Sequence, residues 1–294
     1  MNEPVIKKGW LRVIFYLFSM IAVMVLLGIP AILAIKGLTG VENINLQLYD
    51  TDSVFIMSLY NTFIAAGITG LTILFIKVID GKKIKHLGFR KYRLREDFLL
   101  GMVIGLVIIG SGFGILAASG YITITGISFN FAYLLGSFIL CILISWLEEI
   151  SFRSYILNNL LSSFSRYNAL VISALLFALF HGLNPGITIL AFTNLVLAGI
   201  ILGIVYIYTR TIWFALSLHF SWNFFQGPVF GFPVSGLQMN GIIDQRNVGA
   251  DIISGGDFGF EGSLLCTGLI VACIIVLDRY YNKTINNTFA LNMY

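Results

Sequence analysis

Glu148 and Glu149 stand side by side inside the apolar run Phe131 to Leu160, with Arg153 a few residues further on. Every other Lys, Arg, Asp and Glu falls at the end of an apolar run or in a loop. Ionised groups in the interior of a bilayer are expensive, so an ionisable residue there marks a functional site by default. Two of the chain's 3 histidines, His181 and His219, lie in later apolar runs, and Asn223 follows His219 by one helical turn. A carboxylate, two imidazoles and a carboxamide gathered there could carry proton chemistry, with the carboxylate acting as a general base on water.

On a helix turning about 100° per residue, Arg153 lies about 40° from Glu149 but about 140° from Glu148. The i,i+4 pair Glu149–Arg153 is therefore expected as a structural ion pair. It leaves Glu148 facing another side, free for proton chemistry. His181 has Phe177 one turn before it. Measured along ideal helices, His219 lies about 12 Å, and Glu148 and His181 about 18–20 Å, from the same membrane face, close enough for one pocket given the play in helix ends. Each group alone would pass for interhelical glue. It is the set that points to a catalytic site.

These groups must be held by membrane helices. The chain is 58% hydrophobic and 11% charged, with a mean hydropathy of +0.91, whereas soluble domains carry about 25% charged residues. Eight stretches approach the length of about 20 apolar residues that a spanning helix needs. They are 10–35, 54–79, 98–118, 131–160, 168–183, 188–208, 211–227 and 263–281, the fifth and seventh being short. The predicted fold is all-α, a polytopic bundle of about eight transmembrane helices forming one membrane-embedded domain, 1–294, with the chemistry in 131–226. The first run lacks a small-residue cleavage site and is expected to stay as an anchor. Cys141, Cys266 and Cys273 have no metal-binding spacing and are expected to pack in the core. The connection from Gly227 to Gly262 is expected to be an ordinary solvated loop, with a lid as the alternative for its Gly-rich part, Ser254 to Gly262.

The short loop between the second and third runs holds Lys77, Lys82, Lys83, Lys85, Arg90, Lys91, Arg93 and Arg95, and short basic loops stay cytoplasmic. Threading eight spans from there puts both termini inside, together with 15 of the 18 Lys and Arg. Glu42, Asp50, Asp52, Asp244, Asp251, Asp257 and Glu261 fall on the other face. The expected location is the cytoplasmic membrane. The net charge of +4 largely reflects this bias, and the basic loop is expected to meet anionic lipid headgroups and not nucleic acid.

Glu148-Glu149-Ile-Ser-Phe-Arg153, Phe177-Ala-Leu-Phe-His181 and His219-Phe-Ser-Trp-Asn223 occur in that order. The chain thereby resembles the CAAX prenyl protease and bacteriocin-processing intramembrane proteases, also called Abi proteins, whose motifs are EExxxR, FxxxH and HxxxN/D. The resemblance covers about 131–226. It implies that Glu148 activates water for peptide-bond hydrolysis with help from His181, while His219 and Asn223 bind that water or form the oxyanion site. No cofactor is favoured. HExxH is absent, but Glu148, His181 and His219 are also a donor set of the two-His-one-carboxylate zinc kind, so a divalent metal stays open as the alternative. The substrate implied is a peptide or a lipidated protein met in the bilayer, in peptide maturation or bacteriocin self-immunity. The competing function is a non-catalytic immunity or scaffold protein that binds a peptide or partner. Proton-coupled transport fits less well, for no repeated half is visible. Ser254-Gly-Gly-Asp257 is not the membrane aspartate motif of aspartyl intramembrane proteases, and Ser217 and Ser221 lack a rhomboid-like setting.

Overall fold

The computed structural model describes residues 3–40 and 48–291; Glu42 lies outside them. Among these residues are eight helices of at least 12 residues. They are α1 (Gly9–Thr39), α2 (Thr51–Ile79), α3 (Leu94–Ala118), α4 (Phe131–Leu160), α5 (Arg166–Phe180), α6 (Ile189–Thr209), α7 (Trp213–Phe224) and α8 (Leu264–Leu291). Six are long and apolar enough to cross a membrane, while α5, with 15 residues, and α7, with 12, are the short ones. The starts are set locally. Asp50 closes a capping box with Ser53 at α2, and Asn130, Ser165 and Thr188 cap α4, α5 and α6, each accepting a backbone N–H that the first turn leaves free.

The helices pack pairwise as α1 on α2, α2 on α4, α4 on α7, α7 on α3, α5 on α6, and α6 on α8. Thus α4 and α7 run through the middle. The second half of α4 departs from the ideal helix: Ile150–Leu157 is a π-helical stretch, and all eight of its residues are buried. Such widened turns collect at functional sites. Shorter π-turns end α2, at Phe75–Ile79, and continue α7, at Phe225–Val229.

Charged residues expected merely at span ends are buried there as anchors. Asp80 receives Tyr155 Oη and Asn159 Nδ2, both at 3.1 Å, with Arg12 at 3.4 Å. Asp97 binds Arg93 at 3.0 Å, Tyr281 at 2.9 Å and Thr211 at 3.0 Å.

The solvated loop expected between Gly227 and Gly262 is instead a folded cap. Its strand β2 (Ile243–Asn247) pairs antiparallel with β1 (Ile122–Ile127), in register Ile122↔Asn247 and Ile127↔Ile243. Gly256, Phe258, Phe260, Glu261 and Gly262 are buried. Phe232, Phe258 and Phe260 are buried and supply the apolar surface that pulls the segment inward. The three cysteines are free thiols, two of them buried.

A close contact between α3 and α7 positions His219. A Cβ at Gly101 of α3 would collide with Ser217 Oγ, and with the Phe214 carbonyl oxygen at 2.6 Å; one at Gly105 would lie 2.7 Å from Ser221 Cβ. Small residues let backbones approach in this way, and Ser221 Oγ donates to the Met102 carbonyl at 2.7 Å. Gly101→Ala and Gly105→Ala should each cost about 1–3 kcal/mol through forced separation of α3 and α7. Thermal unfolding in detergent would show this as a lower midpoint, and an unchanged midpoint would refute the close packing.

Candidate active site

Three helix segments bring the polar residues together. α4 supplies Glu148 and Glu149 at the last α-turn before its π-stretch. α5 stops at His181, its C-cap, whose N–H has turned to the carbonyls of Ala178 and Leu179. The Phe177 carbonyl is taken up by the His181 ring, with Nδ1 at 2.9 Å. A carbonyl can only accept, so Nδ1 donates and Nε2 points onward. α7 supplies His219 and Asn223 on one face, and both are buried.

Glu148 Oε2 lies 3.6 Å from His181 Nε2 and 3.9 Å from His219 Nε2. The other nitrogen of His219, Nδ1, is 2.7 Å from Glu149 Oε1. That same oxygen accepts from Arg153 Nη1 at 3.0 Å. Arg153 also donates to the Gly199 carbonyl of α6 at 3.2 Å and lies 4.7 Å from the centre of the Phe177 ring. The expected Glu149–Arg153 pair is thus present, and the two carboxylates have separate partners. Glu149 is fully buried with a guanidinium and an imidazole, whereas the Glu148 side chain is 18% exposed.

Glu148, His181, His219, Asn223 and Phe177 all line one cavity of about 330 Å³. Its remaining wall is mostly apolar, with Met20 and Met24 of α1, Met57, Tyr60 and Ile64 of α2, and Leu202 of α6. Further polar residues in the lining, among them Asn184, Ser235 and Glu261, were not anticipated from the motifs. Glu261 lies in the cap, which the sequence placed on the far face; only the Gly-rich stretch around it hinted at a lid. Burial pushes its carboxyl above the ordinary range, opposed by hydrogen bonds from Ser235 and by the field of His181.

Zinc bonds of about 2.0–2.1 Å would set neighbouring donors about 3.3 Å apart, and the atoms around Glu148 Oε2 are more widely splayed. Among the described residues no group of three His, Cys, Asp or Glu is arranged to hold a metal ion.

Removing Arg153 would leave Glu149 in the interior without its guanidinium. Breaking a buried pair on one side costs about 3–5 kcal/mol. Arg153→Ala should therefore cut the yield of monodisperse protein on size-exclusion chromatography well below that of Glu148→Gln, and equal yields would refute the clamp.

Residues 129–225, from the cap of α4 to the end of α7, match the family described as type II CAAX prenyl endopeptidase, Rce1-like. No curated protein matches the chain. The matched third is the stretch that carries Glu148, Glu149, Arg153, Phe177, His181, His219 and Asn223. With six helices of membrane-crossing length among the described residues, two of them inside the matched stretch, the chain is an integral multi-pass membrane protein, and this third of it is similar to the Rce1-like endopeptidases.

Proposed function

We propose that the protein is an intramembrane endopeptidase in which Glu148 activates the hydrolytic water. The observation that carries this is the convergence of Glu148, His181 and His219, from three helix segments, on one mostly apolar cavity. Separations of 3.6 and 3.9 Å are too long for direct hydrogen bonds, so Glu148 Oε2 is not bonded to either ring and can accept from a water.

In the reaction, Glu148 takes a proton from water as the water oxygen bonds to the scissile carbonyl carbon. Asn223 presents amide N–H donors to the oxyanion, and His219 Nε2 faces the same space. The proton then passes to the amide nitrogen from Glu148, and the C–N bond breaks. His181 assists at this stage. Its ring is fixed by the Phe177 carbonyl, which leaves Nε2 to accept and return a proton beside Glu148. Glu149 and Arg153 do no chemistry; they set the tautomer and angle of the His219 ring. The apolar wall from α1, α2 and α6 would receive the hydrophobic part of a peptide or lipidated protein, in maturation of a peptide or in bacteriocin self-immunity.

Glu148→Gln keeps shape and burial but removes the base. It should lower kcat by about 10²–10⁴-fold at normal folded yield, measured on a quenched fluorescent peptide, lipidated and plain, in reconstituted membranes. Cleavage at the wild-type rate would exclude Glu148 as the base.

The metal-free route is preferred because the amide and imidazole donors around the cavity can themselves supply the electrostatic stabilisation. Protein dialysed against a strong chelator should keep its kcat. Loss of activity restored by stoichiometric zinc alone would overturn the metal-free mechanism and assign Glu148, His181 and His219 as ligands.

A further inference from the structure

The cavity has another carboxylate in its wall, Glu261, which none of the steps above uses. It is buried, and both its oxygens are engaged. Oε1 accepts from Trp222 Nε1 at 3.0 Å, and Oε2 accepts from the backbone N–H and the hydroxyl of Ser235, at 2.7 and 2.9 Å. A carboxylate holding three donors is occupied and poorly suited to carry substrate protons. What it holds is informative. Trp222 is the neighbour of Asn223 on α7. The Ser235 carbonyl accepts from Asn184 Nδ2 at 2.9 Å, and Asn184 belongs to the turn that begins at His181, its N–H bonding the His181 carbonyl at 3.0 Å.

Glu261 is itself fixed from outside the cavity. Asn194 of α6 donates to its carbonyl at 2.7 Å and to that of Ser263 at 2.9 Å. Thr267 of α8 orients this amide by donating to Asn194 Oδ1 at 2.7 Å. Ser235 sits in the left-handed region, with φ of 49°, a conformation that costs a non-glycine residue energy and persists only where the surroundings impose it. Next to it, Gly236 has φ of 84°, and a Cβ there would collide with the Pro185 carbonyl. The cap is thereby pressed on the His181 turn at a position open only to glycine.

We propose that Glu261 is a positioning residue for the hydrolytic site. It ties the indole beside Asn223 to the turn that follows His181, and so sets the spacing between the oxyanion donor and the imidazole that faces Glu148. This rests on the roles assigned above to Asn223 and His181. Were the cap only a cover, weakening the clasp would lower folded yield and leave the turnover of each folded molecule unchanged.

The test uses the full chain in lipid nanodiscs. Gln at 261 keeps the shape, but its NH₂ must face either the indole N–H or the donors of Ser235, so one arm of the clasp breaks. Glu261→Gln should lower kcat per folded molecule by up to about 10²-fold, with KM changed by less than about two-fold. The ring ¹⁵N signal of His181, identified by its loss in His181→Gln, should shift, while that of the distant His86 stays. Trp222→Phe, which keeps the ring and loses the N–H, should lower kcat in the same direction. An unchanged kcat per folded Glu261→Gln molecule, or an unmoved His181 signal, would overturn the proposal. If the wild-type protein cleaves no peptide, the hydrolytic function fails, and the His181 signal still decides the clasp: a shift upholds it and an unmoved signal defeats it.

Discussion

A single oxygen, Oε1 of Glu149, holds the site together. It accepts from Arg153 on its own helix and from His219 on α7, at 3.0 and 2.7 Å. Arg153 carries the tie to α6 through the Gly199 carbonyl and to α5 through the face of Phe177. Four helices therefore meet at one ion pair. In the interior the alternative for either charge is desolvation without a partner, which costs several kcal/mol. The attraction of such a pair need not exceed its desolvation cost to be decisive: what matters is that every arrangement separating Arg153 from Glu149 is worse. Specificity of packing follows from that asymmetry more than from net stability.

The clamp also dictates small residues around it. A Cβ at Gly199 would lie 2.7 Å from Ala174 Cα, so the α5–α6 crossing is as close as backbones allow. That crossing sets Phe177 under the guanidinium and leaves the Gly199 carbonyl within its reach. Past Glu149 the π-stretch rephases α4. Tyr155 then stacks on Tyr16 of α1, with ring centres 4.2 Å apart, and Tyr155 and Asn159 both reach Asp80 at the end of α2. One widened segment thus serves the candidate site at its start and the α1–α2 anchor at its end.

How much of this the sequence reveals depends on the range of each interaction. Glu149–Arg153 is a contact within one helix, so helical periodicity alone predicts it. The helices follow from runs of apolar residues, and the shortness of the fifth and seventh was visible for the same reason. The link between Glu149 and His219 spans 70 residues and depends on α4 and α7 lying side by side, which hydropathy does not encode. The π-stretch is hidden because Ile150 to Leu157 would fit an ordinary helix equally well; tertiary partners select the wider turn. The cap misleads most. Its glycines and acidic residues look like solvated loop, yet Phe232, Phe258 and Phe260 are buried and Glu261 meets donors from the far side of the cap and from α7. A buried charge whose partners are neutral and far off in sequence leaves no local pattern to read.

Two adjacent glutamates, chemically identical, come to opposite states through rotation alone. Consecutive residues on a helix point about 100° apart. Glu149 faces the junction of four helices, where Oε1 takes up a guanidinium and an imidazole. Glu148 faces the cavity, with two Nε2 atoms near Oε2 and neither within hydrogen-bonding distance. Their roles cannot be exchanged by sliding α4 one residue. That would carry Arg153 off the Gly199 carbonyl and the Phe177 ring, and it would move the far end of α4 off Asp80. The phase of the second half of α4 is therefore fixed at its start and its end by buried charge, and the orientation of Glu148 is a consequence of bonds it does not make itself.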